Sequence, residues 1–198
     1  MENTDMLTNA KIIIIALSLF FAAAQNYSYA QDNSLPKNIT VLGKKLNLKQ
    51  NSGDDQKFLA EYIPENETFE NWTLMFAIRH IAGDHFDPKA TAVQAANNIA
   101  QRKAEGDLYA NSMILAAPDG KSVAIDFLVS DKDLLEHNVW RYFIGSKGLS
   151  SYQIARRSYG ISDNAGKTQE FISDIKTKRS DILEQIMRAD LPLTKFAE

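Results

Sequence analysis

The chain has no cysteine among its 198 residues. This absence excludes disulfides, cysteine-ligated zinc sites, thiol catalysis and a lipid-modified cysteine. An excess of charge of one sign is lacking too, since 22 Lys and Arg stand against 25 Asp and Glu, a net charge of −3. Because both signs are interspersed, we predict neither a nucleic-acid partner nor a polybasic membrane surface.

Long apolar runs are scarce, and the clearest is residues 12–24, IIIIALSLFFAAA. Lys11 precedes it, and Ser28-Tyr29-Ala30 places small residues where a signal peptidase reads. The run is shorter than the roughly 20 residues that span a bilayer. We therefore predict that residues 1–30 are a cleaved signal peptide; the alternatives are cleavage after Ala24 and an uncleaved anchor.

The start of this leader is unusual because Glu2 and Asp5 precede its single lysine. Translation from Met6 rather than Met1 would give the more typical positively charged beginning. In either case the predicted mature chain is residues 31–198, one domain that buries about 70% of the surface of its unfolded chain. We expect it in the periplasm or secreted, with no membrane contact after cleavage.

Residues 111–130 are the clearest folding signal. Two apolar runs flank Pro118-Asp119-Gly120, and Asp-Gly between such runs is typical of a β-hairpin. In the second run Val123, Ile125, Phe127 and Val129 alternate with smaller or polar residues, which predicts a strand with one buried face.

The remaining pattern adds strands and helices to this hairpin. An α+β fold is predicted, with a mostly antiparallel sheet of about five main strands from Trp72–Ile81 onward, packed by two helices at about 88–105 and 168–188. Asp87 is the predicted N-cap of the first helix. Before Trp72 we predict a small hairpin over Asn38–Leu48, a loop over 49–56, and either a short strand or a single helical turn over 58–64.

Three polar groupings are candidate sites. Trp140, Arg141, Tyr142, Arg156 and Arg157 form a basic and aromatic patch that suits an anionic ligand or a protein surface. His80, Asp84 and His85 are the alternative, a metal or acid–base site. Asp126 stands in an apolar strand, and we expect Arg141 or Arg156 to pair with it.

Sequence motifs of the common exported hydrolases are missing, including Gly-x-Ser-x-Gly and His-Glu-x-x-His. We therefore predict no catalytic residue, no cofactor and no resident metal. The predicted role is a noncatalytic binding or accessory protein, whose partner is an envelope or host protein or an anionic ligand. A small exported hydrolase that uses His80, Asp84 and His85 is the alternative.

Tyr62-Ile63-Pro64 followed by Glu70-Asn71-Trp72-Thr73 resembles a signature of exported bacterial proteins of unknown function. That resemblance implies a secreted or periplasmic setting and transfers no activity. The order of strands and helices also looks like the PsbP/Mog1 type of α/β/α sandwich, whose members are mostly accessory and binding proteins; this is a likeness of fold.

Overall fold

A computed structural model describes residues 35–117, 120–145 and 147–189 of the chain. The predicted signal peptide lies outside these ranges, as do Pro118 and Asp119 of the predicted hairpin turn. No helix within the described ranges is long and apolar enough to cross a bilayer.

The described residues form eight strands and two helices. In chain order these elements are β1 Asn38–Val41, β2 Lys44–Gly53, β3 Lys57–Ile63, β4 Leu74–Ala82, α1 Pro88–Ala104, β5 Asn111–Ala116, β6 Ser122–Asp131, β7 Leu134–Gly145, β8 Gly148–Tyr159 and α2 Ala165–Met187. Four strands and then a helix thus occur twice in succession.

All eight strands belong to one sheet, in the order β1-β2-β3-β4-β8-β7-β6-β5, and every neighbouring pair is antiparallel. Each run of four strands is a meander of sequential neighbours. The two meanders meet where β4 pairs with β8, from Leu74 opposite Arg156 to Ala82 opposite Gly148. The sheet therefore has β1 at one edge and β5 at the other.

The prediction of about five main strands is wrong, because the described residues contain eight. The predicted loop over 49–56 lies mostly in β2, and 58–64 is essentially β3. The small hairpin is confirmed as β1 and β2. The second half of β2, residues 49–53, escaped recognition because KQNSG is polar and lacks the alternation of a half-buried strand.

The two helices are confirmed with small shifts of their ends, and the fold remains α+β. Asp87 caps α1 as predicted, accepting a hydrogen bond from the Lys89 backbone N–H at 2.8 Å, with Pro88 in the first turn.

The helices cover opposite faces of the sheet. Helix α1 buries Ala92, Ala95 and Ile99 against the β6 residues Ile125, Phe127 and Val129, which are buried as predicted. We call this face the α1 side.

Helix α2 packs on the other face, which we call the α2 side. Phe171 and Ile175 contact Leu135, while Ile182 and Ile186 join the largest apolar cluster, formed mainly by β1, β3, β4 and β8. Since successive residues of a strand point to opposite faces, each central strand contributes to both layers.

Candidate binding groove beside helix α2

The predicted basic and aromatic patch is divided between the two faces of the sheet. Trp140 and Tyr142 are buried in the cluster on the α1 side. Arg141 lies on the α2 side, where its guanidinium donates to Ser122 Oγ at 3.0 Å and to the Ala189 carbonyl at 3.3 Å. Both aromatic residues of the patch therefore belong to the core, and Arg141 binds the C-terminal end of α2.

Arg156 and Arg157 lie next to each other at the end of β8. Arg156 forms an ion pair with Asp174 of α2, and its guanidinium carbon is 5.5 Å from the Phe171 ring centre. Arg157 donates to Glu136 Oε2 at 2.6 Å and stacks 3.9 Å above the Trp72 ring. Both arginines are therefore held in place by carboxylates and aromatic rings.

A groove of about 720 Å³ opens at this point, between the first half of α2 and the end of the sheet. On the α2 side its lining carries four basic and two acidic side chains, namely Lys44, Arg156, Lys167, Lys178, Glu170 and Asp174. Arg157 also lines the groove, but its side chain points to the α1 side, where Glu136 and Trp72 hold it. Leu74 and Phe171 supply apolar wall. The structure thus brings the side chain of one predicted patch residue, Arg156, together with lysines that lie elsewhere in the sequence.

The groove exists because β8 is longer than its neighbour β4. Their pairing ends at Leu74 and Arg156, while β8 continues to Tyr159 with β7 alone beside it. Two contacts hold the chain that precedes β4 against this extension: the Arg157 N–H donates to the Thr73 carbonyl at 3.1 Å, and the Tyr159 hydroxyl donates to the Trp72 carbonyl at 2.9 Å. Helix α2 then crosses above the gap.

Asp174 organises the cations of the groove. It contacts both Arg156 and Lys178, the latter at 2.7 Å. Burial acts to raise the pKa of Asp174, but hydrogen bonds from Lys178 and Arg156 outweigh it and leave the pKa below its ordinary value. The carboxylate therefore stays ionised and positions both cations beside the groove.

The structure does not bring His80, Asp84 and His85 together into the alternative metal or acid–base site. His80 is buried on the α2 side with Nδ1 3.0 Å from Ser150 Oγ, whereas the side chains of Asp84 and His85 are exposed. Burial lowers the pKa of His80, with the Lys147 charge adding to the effect. Across the described ranges, no group of three His, Cys, Asp or Glu side chains is placed to hold a metal ion.

The expected pairing of Asp126 with Arg141 or Arg156 is wrong. Asp126 Oδ1 is 2.9 Å from His137 Nε2, and its Oδ2 accepts from Arg179 Nε of α2 at 2.6 Å. Burial acts to raise the pKa of Asp126, but these two partners outweigh it and the pKa is lowered. This residue is therefore an anchor for α2.

The predictions from the sequence missed a network of hydrogen-bonded polar side chains that extends across four strands on the α1 side. Arg79 pairs with Glu61 at 3.5 Å and donates to Gln153 at 2.5 Å. Gln153 donates to Asn138 at 2.6 Å, and Asn138 to Glu136 at 2.7 Å. Glu136 then receives Arg157, which links this network to the groove.

The sequence feature that could have indicated this network is a single charged residue in a mostly apolar strand, namely Arg79 in LMFAIRHIA. Burial raises the pKa of Glu61, although Arg79 and Arg157 oppose the shift. Buried charges need such partners, because an unpaired one costs several kcal/mol. The network therefore fixes Arg157 from behind the groove.

Comparison with known proteins places the chain without naming an activity. No curated protein and no solved structure matches it, so the PsbP/Mog1 likeness stays a prediction. The model of an uncharacterised protein family matches residues 33–191, which is most of the chain. The chain therefore belongs to this uncharacterised family.

Proposed function

We propose that this protein is an exported, noncatalytic binding protein that holds an anionic ligand in the groove beside α2. The observation that carries the proposal is the excess of basic over acidic side chains lining this one groove, in a chain whose net charge is negative. A local field of opposite sign to that of the whole chain favours an anion at this place.

Fixed donors strengthen the case for a ligand. Asp174 and Phe171 hold Arg156, so its guanidinium needs no ordering when a ligand arrives. Binding to pre-organised groups avoids part of the entropy cost of association. Lys167 and Lys178 lie on α2 across from Arg156 and supply further positive charge.

A ligand that carries several carboxylates or phosphates along its length fits this groove, because the cations are spread along the groove and not gathered at one point. Leu74 and Phe171 in the wall accommodate aliphatic carbons between the charges. Guanidinium groups bind carboxylate and phosphate equally well by paired hydrogen bonds.

Fluorescence anisotropy with labelled hexaglutamate, and competition by tripolyphosphate, tests the groove. The variant Lys167→Ala/Lys178→Ala keeps Arg156 and Asp174, and its affinity should fall at least about tenfold, equivalent to about 1.4 kcal/mol. Lys176→Ala is the matched control, since this exposed lysine of α2 does not line the groove. Equal affinities for the two variants would contradict the proposal.

Export is supported by the sequence of the leader and by the family match, which begins at residue 33, close behind the predicted cleavage site. Cell fractionation and N-terminal sequencing of the mature protein test this part. A protein that begins at Gln31 and lies outside the cytoplasm is expected. A product that keeps Met1 or Met6 and stays in the cytoplasm would contradict export while leaving the groove untouched.

A further inference from the structure

The two edges of the sheet differ in how they are protected. Strand β1 has four residues, and the Gln185 side chain of α2 occupies part of its backbone: Oε1 accepts from the Leu42 N–H at 2.8 Å, and Nε2 donates to the Thr40 carbonyl at 3.4 Å. Edge strands that are short or covered do not recruit further strands.

Strand β5 has none of the usual protections. Its sequence, NSMILA, contains no charge and no proline, and its register with β6 is unbroken from Asn111 opposite Leu128 to Ala116 opposite Val123. Within the described ranges β5 pairs with β6 alone. One row of its backbone N–H and C=O groups is thus available to a further strand.

Exposed apolar residues concentrate at this edge. Among the described residues seven large hydrophobic side chains are exposed, and four of these are Leu108, Tyr109, Met113 and Ile114. Leu108 is 86% exposed. An apolar edge strand flanked by apolar side chains is the pattern of an interface.

We propose that β5 pairs antiparallel with β5 of a second copy of this chain, joining two sheets into one across a two-fold axis. Self-pairing suits this strand because it carries no charge, so no like charges meet across the axis. This inference does not depend on the proposed anion groove, which lies on α2 and β8.

Strand geometry limits the register to axes that pass through a residue of β5. Ile114 lies opposite Ile125 and so points to the α1 side, whereas Met113 lies opposite Asp126 and points to the α2 side. A two-fold axis normal to the sheet keeps each face on its own side, so residues that pair must share a face. Centring the axis on Ile114 satisfies this rule and places Met113 opposite the partner's Leu115, an apolar pair.

Charge substitution at the axis tests the proposal. Light scattering after size-exclusion chromatography of the full chain should give twice the chain mass for the wild type. It should give the single-chain mass for Ile114→Lys and for Ile114→Glu, because each places like charges opposite each other. Mixing the two variants should restore the double mass, since Lys then faces Glu.

Val93→Lys is the control, because Val93 of α1 is as exposed as Ile114, at 41% against 37%, but does not lie on the edge. It should remain dimeric, and thermal melts should show that all variants are folded. A monomeric wild type would overturn the proposal and leave this edge to a strand of another protein. Dimers that survive in both Ile114 variants, or a mixture that stays monomeric, would overturn it as well.

Discussion

The two helices lie on opposite faces of one sheet and are held there by different means. Helix α1 presents Ala92 and Ala95 to the sheet and is packed closely, with its main polar tie at Arg102, which donates to the Ser130 carbonyl at 2.6 Å. Helix α2 presents larger residues and is tied by ion pairs from Arg179 to Asp126 and from Asp174 to Arg156.

This difference explains where a ligand fits. Small side chains let a helix approach its sheet closely and leave little room between the layers. Helix α2 also carries long charged side chains, whose polar ends stay at the margin of the layer, where they face solvent. We infer that the α1 side is the structural half of the molecule and that the α2 side is the binding half.

The largest expected effect is on the apolar contact of α2. Ile182 is fully buried in the main cluster, so Ile182→Ala should lower the free energy of unfolding by about 2–5 kcal/mol. Urea denaturation measures this change. Leu183→Ala, at the half-buried neighbouring position, should cost clearly less; equal losses would show that α2 is not packed through the Ile182 stripe.

Overfilling the α1 contact should have the next largest effect. Ala92 is fully buried, and Ala92→Leu forces the helix away from β6, at an expected cost of about 1–3 kcal/mol. The exposed neighbour Gln94→Leu is the control and should leave the melting temperature nearly unchanged. If Ala92→Leu were tolerated equally well, the close approach of α1 would not be a constraint.

The loss of folding stability at acidic pH should depend on Asp126. Its pKa is lowered on folding, so its contribution is present above its ordinary value of 3.8 and is lost as pH falls through the lower folded value. The urea midpoint of the wild type should therefore fall steeply below about pH 4. Asp126→Asn should start less stable at neutral pH and show a shallower fall; parallel curves would refute the anchor.

The smallest effect expected is a gain in affinity. Glu170 lines the groove with the opposite sign to its ligand, and Glu170→Gln removes that charge while keeping the shape. Hexaglutamate binding should tighten about two- to fivefold, as an exposed charge pair is worth up to about 1 kcal/mol. Raised salt should reduce this difference, and an unchanged affinity at low salt would place the ligand elsewhere.

The sequence predicted well what depends on neighbouring residues. Both helices, the N-cap at Asp87, and the β6 alternation of Ile125, Phe127 and Val129 were recognisable, because local periodicity and capping chemistry determine them. The second half of β2 was not, since a polar strand segment has no regular pattern. Strand β3 was left open between a strand and a helical turn, because so short a segment suits both.

The candidate site was predictable in part for the same reason. Arg156 could be singled out as part of a basic and aromatic patch, but Lys167 and Lys178 join it only because α2 folds back over β8. The Arg79–Gln153 contact joins residues 74 positions apart, and it exists only because β4 lies beside β8. Contacts of that kind require the strand order, which no local pattern encodes.

An NMR titration of the full chain with hexaglutamate measures the central claim most directly. Amide shifts should concentrate at Arg156, Lys167, Glu170 and Lys178, while those of α1, from Ala92 to Ile99, stay in place. Shifts that centre on α1, or that spread evenly over exposed lysines such as Lys176, would contradict the assignment of binding to the α2 side.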